Sequence, residues 1–148
     1  MENIKKLIDD NYLDLSTLVV FTRTEHHIHR REYKWIKEND LTTNQFGVLE
    51  ALYVKGDLKI GQIIESVLST SGNMTVVVKN LEKLGLVRRV QDPNDKRSTI
   101  ISLTSAGRSK IEAILPQHYK NITEIFSVLT DEEKKVLKTI LKKISKPL

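Results

Sequence analysis

The sequence predicts a mainly α-helical chain that carries one small β-hairpin, and three observations support this. Apolar residues recur every three or four positions through both ends of the chain, the spacing of one buried helix face. Residues 87–91 and 99–103 read as strands on either side of Asp92-Pro93-Asn94-Asp95-Lys96, where Pro, Asn and Asp are turn formers. Small polar residues and glycines stand where the helical stripes begin and stop. At 148 residues, the chain has the length of a single domain that can bury a real core.

The elements follow in order. Ile4, Leu7, Ile8, Tyr12, Leu15 and Val19 lie on one stripe and predict a single long helix over 4–38. Past Val19 the same stripe turns partly polar, through Thr22, His26, His29, Tyr33 and Ile36. Asn39-Asp40 breaks the helix, and Leu41-Thr42-Thr43 supplies the cap of a second one. This helix repeats Phe46, Leu49, Leu52 and Tyr53 on one face before Gly56-Asp57 ends it. Leu58-Lys59 is a short extended piece leading into a helix over 60–66, with Ile60, Ile63, Ile64 and Val67 inward.

Ser69-Thr70-Ser71-Gly72 is a cluster that can cap a helix running to Leu84, with Gly85 as its left-handed terminator. Met74, Val77, Val78, Leu81 and Leu84 form the expected buried face. After the hairpin, a long helix from Thr104 carries Ile111, Ile114, His118, Ile122, Ile125 and Leu129, and Pro116 is placed to kink it. Thr130-Asp131-Glu132-Glu133 reads as a capping box, and the last helix runs through Val136, Leu137, Ile140, Leu141 and Ile144.

A short helix, a turn, a second helix with small polar residues at its start, and then a charged hairpin is the order of a winged helix-turn-helix. Such a module inserts the N-terminal end of its second helix into a DNA major groove, where small side chains let the backbone approach the bases. The exposed face of that helix presents Ser71, Gly72, Asn73, Thr75, Val76, Lys79, Asn80 and Lys83. Between Ser69 and Ser98, Lys79, Lys83, Arg88, Arg89, Lys96 and Arg97 outweigh Glu82, Asp92 and Asp95. The whole chain has 24 Lys+Arg against 19 Asp+Glu, a net charge of +5, which favours a polyanionic partner without naming it. The competing reading is that a basic amphipathic helix and a hairpin are simply a solvated surface.

Composition also excludes several classes. With no cysteine there are no disulfides, thiolate metal sites or thiol switches. No apolar run approaches the roughly 18 residues of a spanning helix, and the first residues open an amphipathic segment rather than a signal peptide. The expectation is a soluble, cytoplasmic protein. No motif joins Ser to His, no paired carboxylates stand out, and no glycine-rich phosphate loop is present, so catalysis is not expected.

The segment Leu81-Glu82-Lys83-Leu84-Gly85-Leu86-Val87-Arg88-Arg89, then Asp92-Pro93-Asn94-Asp95-Lys96-Arg97, then Ile101-Ser102-Leu103-Thr104-Ser105-Ala106-Gly107 resembles the MarR family. The resemblance extends over roughly residues 10–145. It implies one domain over 1–148, in which 41–103 is a winged helix-turn-helix DNA-binding part and 1–38 with 104–148 form a helical dimerisation part. The implied protein is a homodimer that reads two half-sites of a pseudo-palindromic duplex. The apolar stripes of the terminal helices independently require packing on each other or on a second copy.

In the wing signature that Asp95 and Arg97 match, an acid braces an arginine while a neighbouring base enters a minor groove. Lys96 and Arg97 compete for that role; Arg97 is assigned to the groove and Lys96 to phosphate, the alternative being that Asp95 holds Arg97 internally. Arg88 and Arg89 complete the wing set. The chain departs from the family at Val76, where an arginine is common, so a bidentate guanine contact is lost and a thymine methyl contact is gained.

The resemblance further implies a repressor released from its operator by an amphipathic or phenolic ligand bound between the two parts. Thr22, His26, His29 and Tyr33, with Phe46, Tyr53 and His118, are the expected pocket. His26-His27-x-His29 also has the spacing of two imidazoles on one helix face. Too few further ligands stand nearby for zinc, so neither metal nor cofactor is expected. A metal-responsive regulator and a protein-interaction module built on the helix-turn-helix part remain the alternative readings.

Overall fold

The computed structural model describes residues 3–67 and 73–145, with the side chains of all of these except Lys96 and Arg97. The predicted Ser71 and Gly72 contacts therefore lie outside the described residues. The predicted long first helix is two, α1 (Ile4–Asp10) and α2 (Tyr12–Glu38). The break is at Asn11, whose side-chain amide donates to the Leu7 carbonyl at 2.8 Å while its backbone leaves helical geometry. Backbone hydrogen bonds from Asn11 N to Leu7 O and from Leu15 N to Asn11 O keep the two pieces nearly continuous.

Helix α3 (Thr43–Lys55) starts at Thr42, whose hydroxyl accepts from Gln45 N while the Gln45 side chain accepts from Thr42 N, a complete capping box. Leu41 and Phe46 are both buried at the two positions of a hydrophobic staple. Strand β1 (Leu58–Lys59), helix α4 (Ile60–Ser66) and helix α5 (Met74–Lys83) follow. Ile63 and Val67 turn inward as expected, but Ile64 is exposed, because this short helix buries only one face and Ile64 lies about 100° off it.

Strands β2 (Val87–Asp92) and β3 (Asp95–Leu103) are longer than predicted and leave only Pro93-Asn94 as the turn. Asp92 Oδ1 accepts from Asn94 N at 2.9 Å and closes this turn through its own side chain. With β1 the hairpin makes an antiparallel sheet of order β1-β3-β2, in which Ile101 is fully buried between Leu58 and Arg89. Helix α6 (Ser105–Phe126) runs through Pro116 without ending there. It stops at Phe126, so Leu129 sits beyond the helix rather than on it. Helix α7 (Asp131–Ile144) has the predicted Thr130/Glu133 capping box.

One core holds α3, α4, α5, the sheet and the first half of α6 together. Its centre is Val48, Leu49, Ile63, Val78, Leu81, Ile101, Ile111 and Ile114. Ile36 and Trp35 bring the end of α2 into this core, and the Trp35 indole donates to the Ile114 carbonyl at 3.3 Å. In contrast, α1 and α7 bury no residue, and Leu13, Leu18, Val20, Phe21, Val136 and Ile140 are exposed. Among the described residues, no helix is long and apolar enough to cross a membrane.

The end of α5 is welded to the start of α6. Gly85 has φ +70°, with Gly85 N bonded to Glu82 O and Leu86 N to Leu81 O, the paired bonds of a Schellman stop. Thr104 then fastens that stop: its hydroxyl donates to Gly85 O at 2.6 Å and accepts from Gly107 N, and its backbone N donates to Leu86 O. A Cβ on Gly107 would lie 1.9 Å from the Leu86 carbonyl oxygen. That clash is with backbone, so no rotamer relieves it. Gly107→Ala is therefore expected to cost about 3 kcal/mol or more, and Thr104→Val about 1–3 kcal/mol, read as shifts of the urea midpoint.

Candidate nucleic-acid interface

Helix α5 begins at Asn73, whose Oδ1 accepts from Thr75 N at 3.1 Å, so Asn73 is the cap itself rather than a helical residue. This places the helix start later than the polar cluster at 69–72 had suggested. Met74, Val78 and Leu81 point into the core. Thr75, Val76, Lys79, Asn80 and Lys83 form the opposite, exposed face, as predicted. Leu84, expected inside, is exposed because the helix ends at Lys83 and Gly85 turns the chain away.

The hairpin stands beside this face. Arg88 and Arg89 are exposed on β2, and the Arg89 Nε bonds Glu82 Oε2 at 2.8 Å. Arg89 thus ties the hairpin to α5, leaving Arg88, Lys79 and Lys83 on this surface without an ion-pair partner among the described residues. Asp95 opens β3 and is engaged in an interaction of its own. Lys96 and Arg97 lie on β3, and the assignment of groove and phosphate between them falls on side chains outside the described set.

Sequence reasoning missed a strut at the hairpin's turn. The Lys59 ammonium on β1 reaches past the central strand to Asp92 Oδ2 at 2.9 Å, and Asp92 is buried. No periodicity links positions so far apart in the chain; only the strand order brings them together. The Asn94 backbone N–H, then the Lys59 ammonium, hold the Asp92 carboxyl below its ordinary 3.8. The hydrogen bond and charge of Asp92 raise Lys59 above its ordinary 10.5.

The expected pocket exists in part. A cavity of about 590 Å³ lies between α2, α3, the end of α4 and α6, and His29, Tyr33, Phe46 and His118 line it. Thr22 and His26 do not: Thr22 lies before the lining stretch of α2, and His26 is turned about 100° from Glu25, off the row that faces the cavity. Tyr53 does not either. It is turned about 100° from the lining row of α3 and carries the Arg108 guanidinium 5.4 Å from its ring centre. The lining instead includes Glu25, Glu32, Glu50 and Lys55, which the apolar stripe could not reveal. His29 is half-exposed and bridges Glu25 at 3.0 Å and Glu32 at 3.5 Å. Among the described residues, no three His, Asp or Glu side chains gather as a metal site.

A helix-turn-helix with a following three-stranded wing, its second helix exposing a polar and basic face, defines a winged helix-turn-helix module. The MarR family model matches residues 41–99. The chain is 38% identical over 124 residues to the HTH-type transcriptional regulator YkoM of Bacillus subtilis, covering 84% of this chain and 80% of that one. It is 35% identical over 130 residues to the regulator MhqR of the same organism, covering 88% and 90%. A MarR family regulator from Streptomyces coelicolor, solved in complex with DNA, shares the fold with a TM-score of 0.80 at 21% identity, covering 88% and 84%. The chain belongs to the MarR family of DNA-binding transcriptional regulators; it is not an enzyme.

The Lys59–Asp92 strut sets a pH window for the wing. The depressed Asp92 carboxyl contributes stability above its unfolded value, and this is lost as pH falls through the lower folded value. Lys59 contributes below its unfolded value, and this is lost as pH rises through the higher folded one. Urea titrations between about pH 2 and pH 6 should show the parent chain losing more stability on acidification than Asp92→Asn. Equal acid slopes for the two would mean the strut contributes nothing.

Proposed function

We propose that this regulator is a homodimeric repressor that reads a pseudo-palindromic operator and lets go of it when a small ligand fills the cavity between α2, α3 and α6. In this reading residues 41–103 bind DNA, and 1–38 with 104–148 dimerise. The observation that carries the DNA part is the exposed face of α5, with Asn73, Thr75, Val76, Lys79 and Asn80 beside a basic hairpin. Asn73 and Thr75 stand at the helix start, where base edges are within reach, and Lys79 and Arg88 suit phosphate. Lys96 and Arg97 complete the wing, with Asp95 as brace.

A second copy is the partner that the exposed apolar surface calls for. A groove of about 960 Å³ is lined by Phe21, Ile28, Ile125, Phe126, Leu137 and Leu141 among others, and Val136 and Ile140 of α7 and Leu18 and Val20 of α2 are exposed as well. Monomeric proteins rarely leave so much contiguous apolar surface in water. Two-fold pairing would set the two α5 helices on half-sites about 10–10.5 bp apart or a multiple of that.

Binding to the chain's own upstream DNA and to a random duplex of equal length, titrated across salt, tests the first part. The upstream fragment should bind more tightly, with a steep salt slope. Lys79→Ala should weaken both and reduce the slope by about one. Asn73→Ala or Thr75→Ala should change which sequences are preferred. Equal weak binding to both duplexes, independent of salt, would move the reading to a protein partner.

For the dimer, sedimentation should give twice the 17.0 kDa chain mass. Leu137→Glu should shift the protein toward monomer and weaken two-half-site binding, while Lys79→Ala stays dimeric. A parent chain that sediments as a monomer at micromolar concentration would sink this assignment.

A further inference from the structure

The cavity that the proposed function assigns to a ligand has a charge pattern that narrows the chemistry of that ligand, and this inference rests on that assignment. Three carboxylates, Glu25, Glu32 and Glu50, line the cavity against a single lysine, Lys55. The Lys55 ammonium donates to Ser66 Oγ at 2.9 Å. His29 is held between Glu25 and Glu32 rather than turned on the cavity alone. The stretch 68–72, which follows the lining residues Ser66 and Val67, contains no ionisable side chain, so it adds no charge.

Two unmet polar atoms point the same way, the Asn44 side-chain oxygen as an acceptor and His118 Nδ1 as one in the tautomer that carries its proton on Nε2. His118 is 5% exposed, and its Nδ1 has no partner among the described residues; Asn44 Oδ1 is likewise shielded and unpaired. Both side chains line the cavity. An unpaired buried polar atom is costly, and a donor brought in by a ligand relieves that cost once the side chain turns to meet it. The walls next to these atoms are aromatic: the Phe46 and His118 rings lie 4.6 Å apart, and Tyr33 flanks His29 at 5.8 Å. The charge of Glu50 is felt by its neighbour as well: burial first, and then Glu50, raises the Tyr119 phenol above its ordinary 10.0.

We propose that the cavity selects an aromatic molecule that donates hydrogen bonds and carries no negative charge, and discriminates against aromatic carboxylates. A carboxylate would enter among like charges, which lowers affinity for the wrong partner. A neutral polyphenol and an aromatic ammonium share the required chemistry. The carboxylates add attraction for the second, and cation–π contact with Phe46 or Tyr33 can assist it.

The test uses the full-length protein without DNA and three probes of matched size: hydroquinone, benzylamine and benzoate. Quenching of Trp35, the single tryptophan, and thermal shift read binding. Hydroquinone or benzylamine should bind at least about tenfold more tightly than benzoate. A preference for hydroquinone assigns the neutral donor, and a preference for benzylamine the cation. In the Glu25→Gln, Glu32→Gln double variant the bias against benzoate should shrink, and His118→Phe should weaken the favoured probe without restoring benzoate. Benzoate binding as tightly as the others would overturn the charge selectivity while leaving the cavity as the ligand site. If no probe binds the free protein, and none shifts its affinity for the upstream duplex in a parallel titration, both the selectivity and the ligand assignment fall.

Discussion

The structure hangs on one joint, where Thr104 and Gly107 at the start of α6 clasp the Gly85–Leu86 turn at the end of α5. Only a glycine at 107 allows the Leu86 carbonyl to come so close. Only a left-handed residue at 85 turns the chain directly from α5 into β2. Together these fix the angle between the DNA-facing helix, the wing that follows it and the long helix that leaves the module. The Leu-Gly-Leu-Val and Leu-Thr-x-x-Gly segments that mark the family in sequence are thus two halves of one contact. The hairpin between them leaves from one half and returns to the other.

The wing depends on that joint and then on two further ties. Arg89 to Glu82 holds β2 against α5, and Lys59 to Asp92 holds the hairpin's turn against β1. Exposed ion pairs usually contribute little stability, so the Arg89 pair matters more for the wing's direction than for its free energy. Asp92 is the stronger tie, because it is buried and also accepts from the Asn94 N–H. A basic hairpin held at both ends presents its charges in a fixed place, which phosphate contacts need to set register.

Most of the fold was legible in the sequence because its signals are local. The Thr42 and Thr130 capping boxes, the Gly85 stop and the strand pair around Pro93-Asn94 each depend on residues a few positions apart. The misses came where local rules compete or run out. Asn11 bonds its own helix and breaks a stripe that otherwise reads as unbroken. Leu84 continues an apolar pattern past the last turn that has a core to face, and Ile64 lies beside the Ile63 and Val67 row that does face it. In the candidate site, the exposed face of α5 followed from periodicity, whereas the strut from Lys59 did not, since strand order sets it. For the cavity, the stripe located His29, Tyr33, Phe46 and His118, but it ran too far up α2 to Thr22 and His26. Glu25 and Glu32 were within reach of inference, lying four residues before and three after His29.

The cavity's position explains how a small molecule can act on a surface it does not touch. Its walls come from α2, which belongs to the exposed apolar part, and from α3, α4 and α6, which pack against α5 and the sheet. Phe46 and His118 meet across it at 4.6 Å, and α6 carries His118 about one helix length from the Thr104 clasp. Packed cores have discrete arrangements rather than a continuous range. A ligand that wedges the α2 wall from the α3 and α6 walls must therefore bear on the packing that orients α5. In a two-fold dimer that change is doubled, because the spacing between the two α5 helices is the sum of both displacements. A duplex with a fixed half-site spacing tolerates little of it, so a modest shift at the cavity is enough to decide whether both helices fit at once.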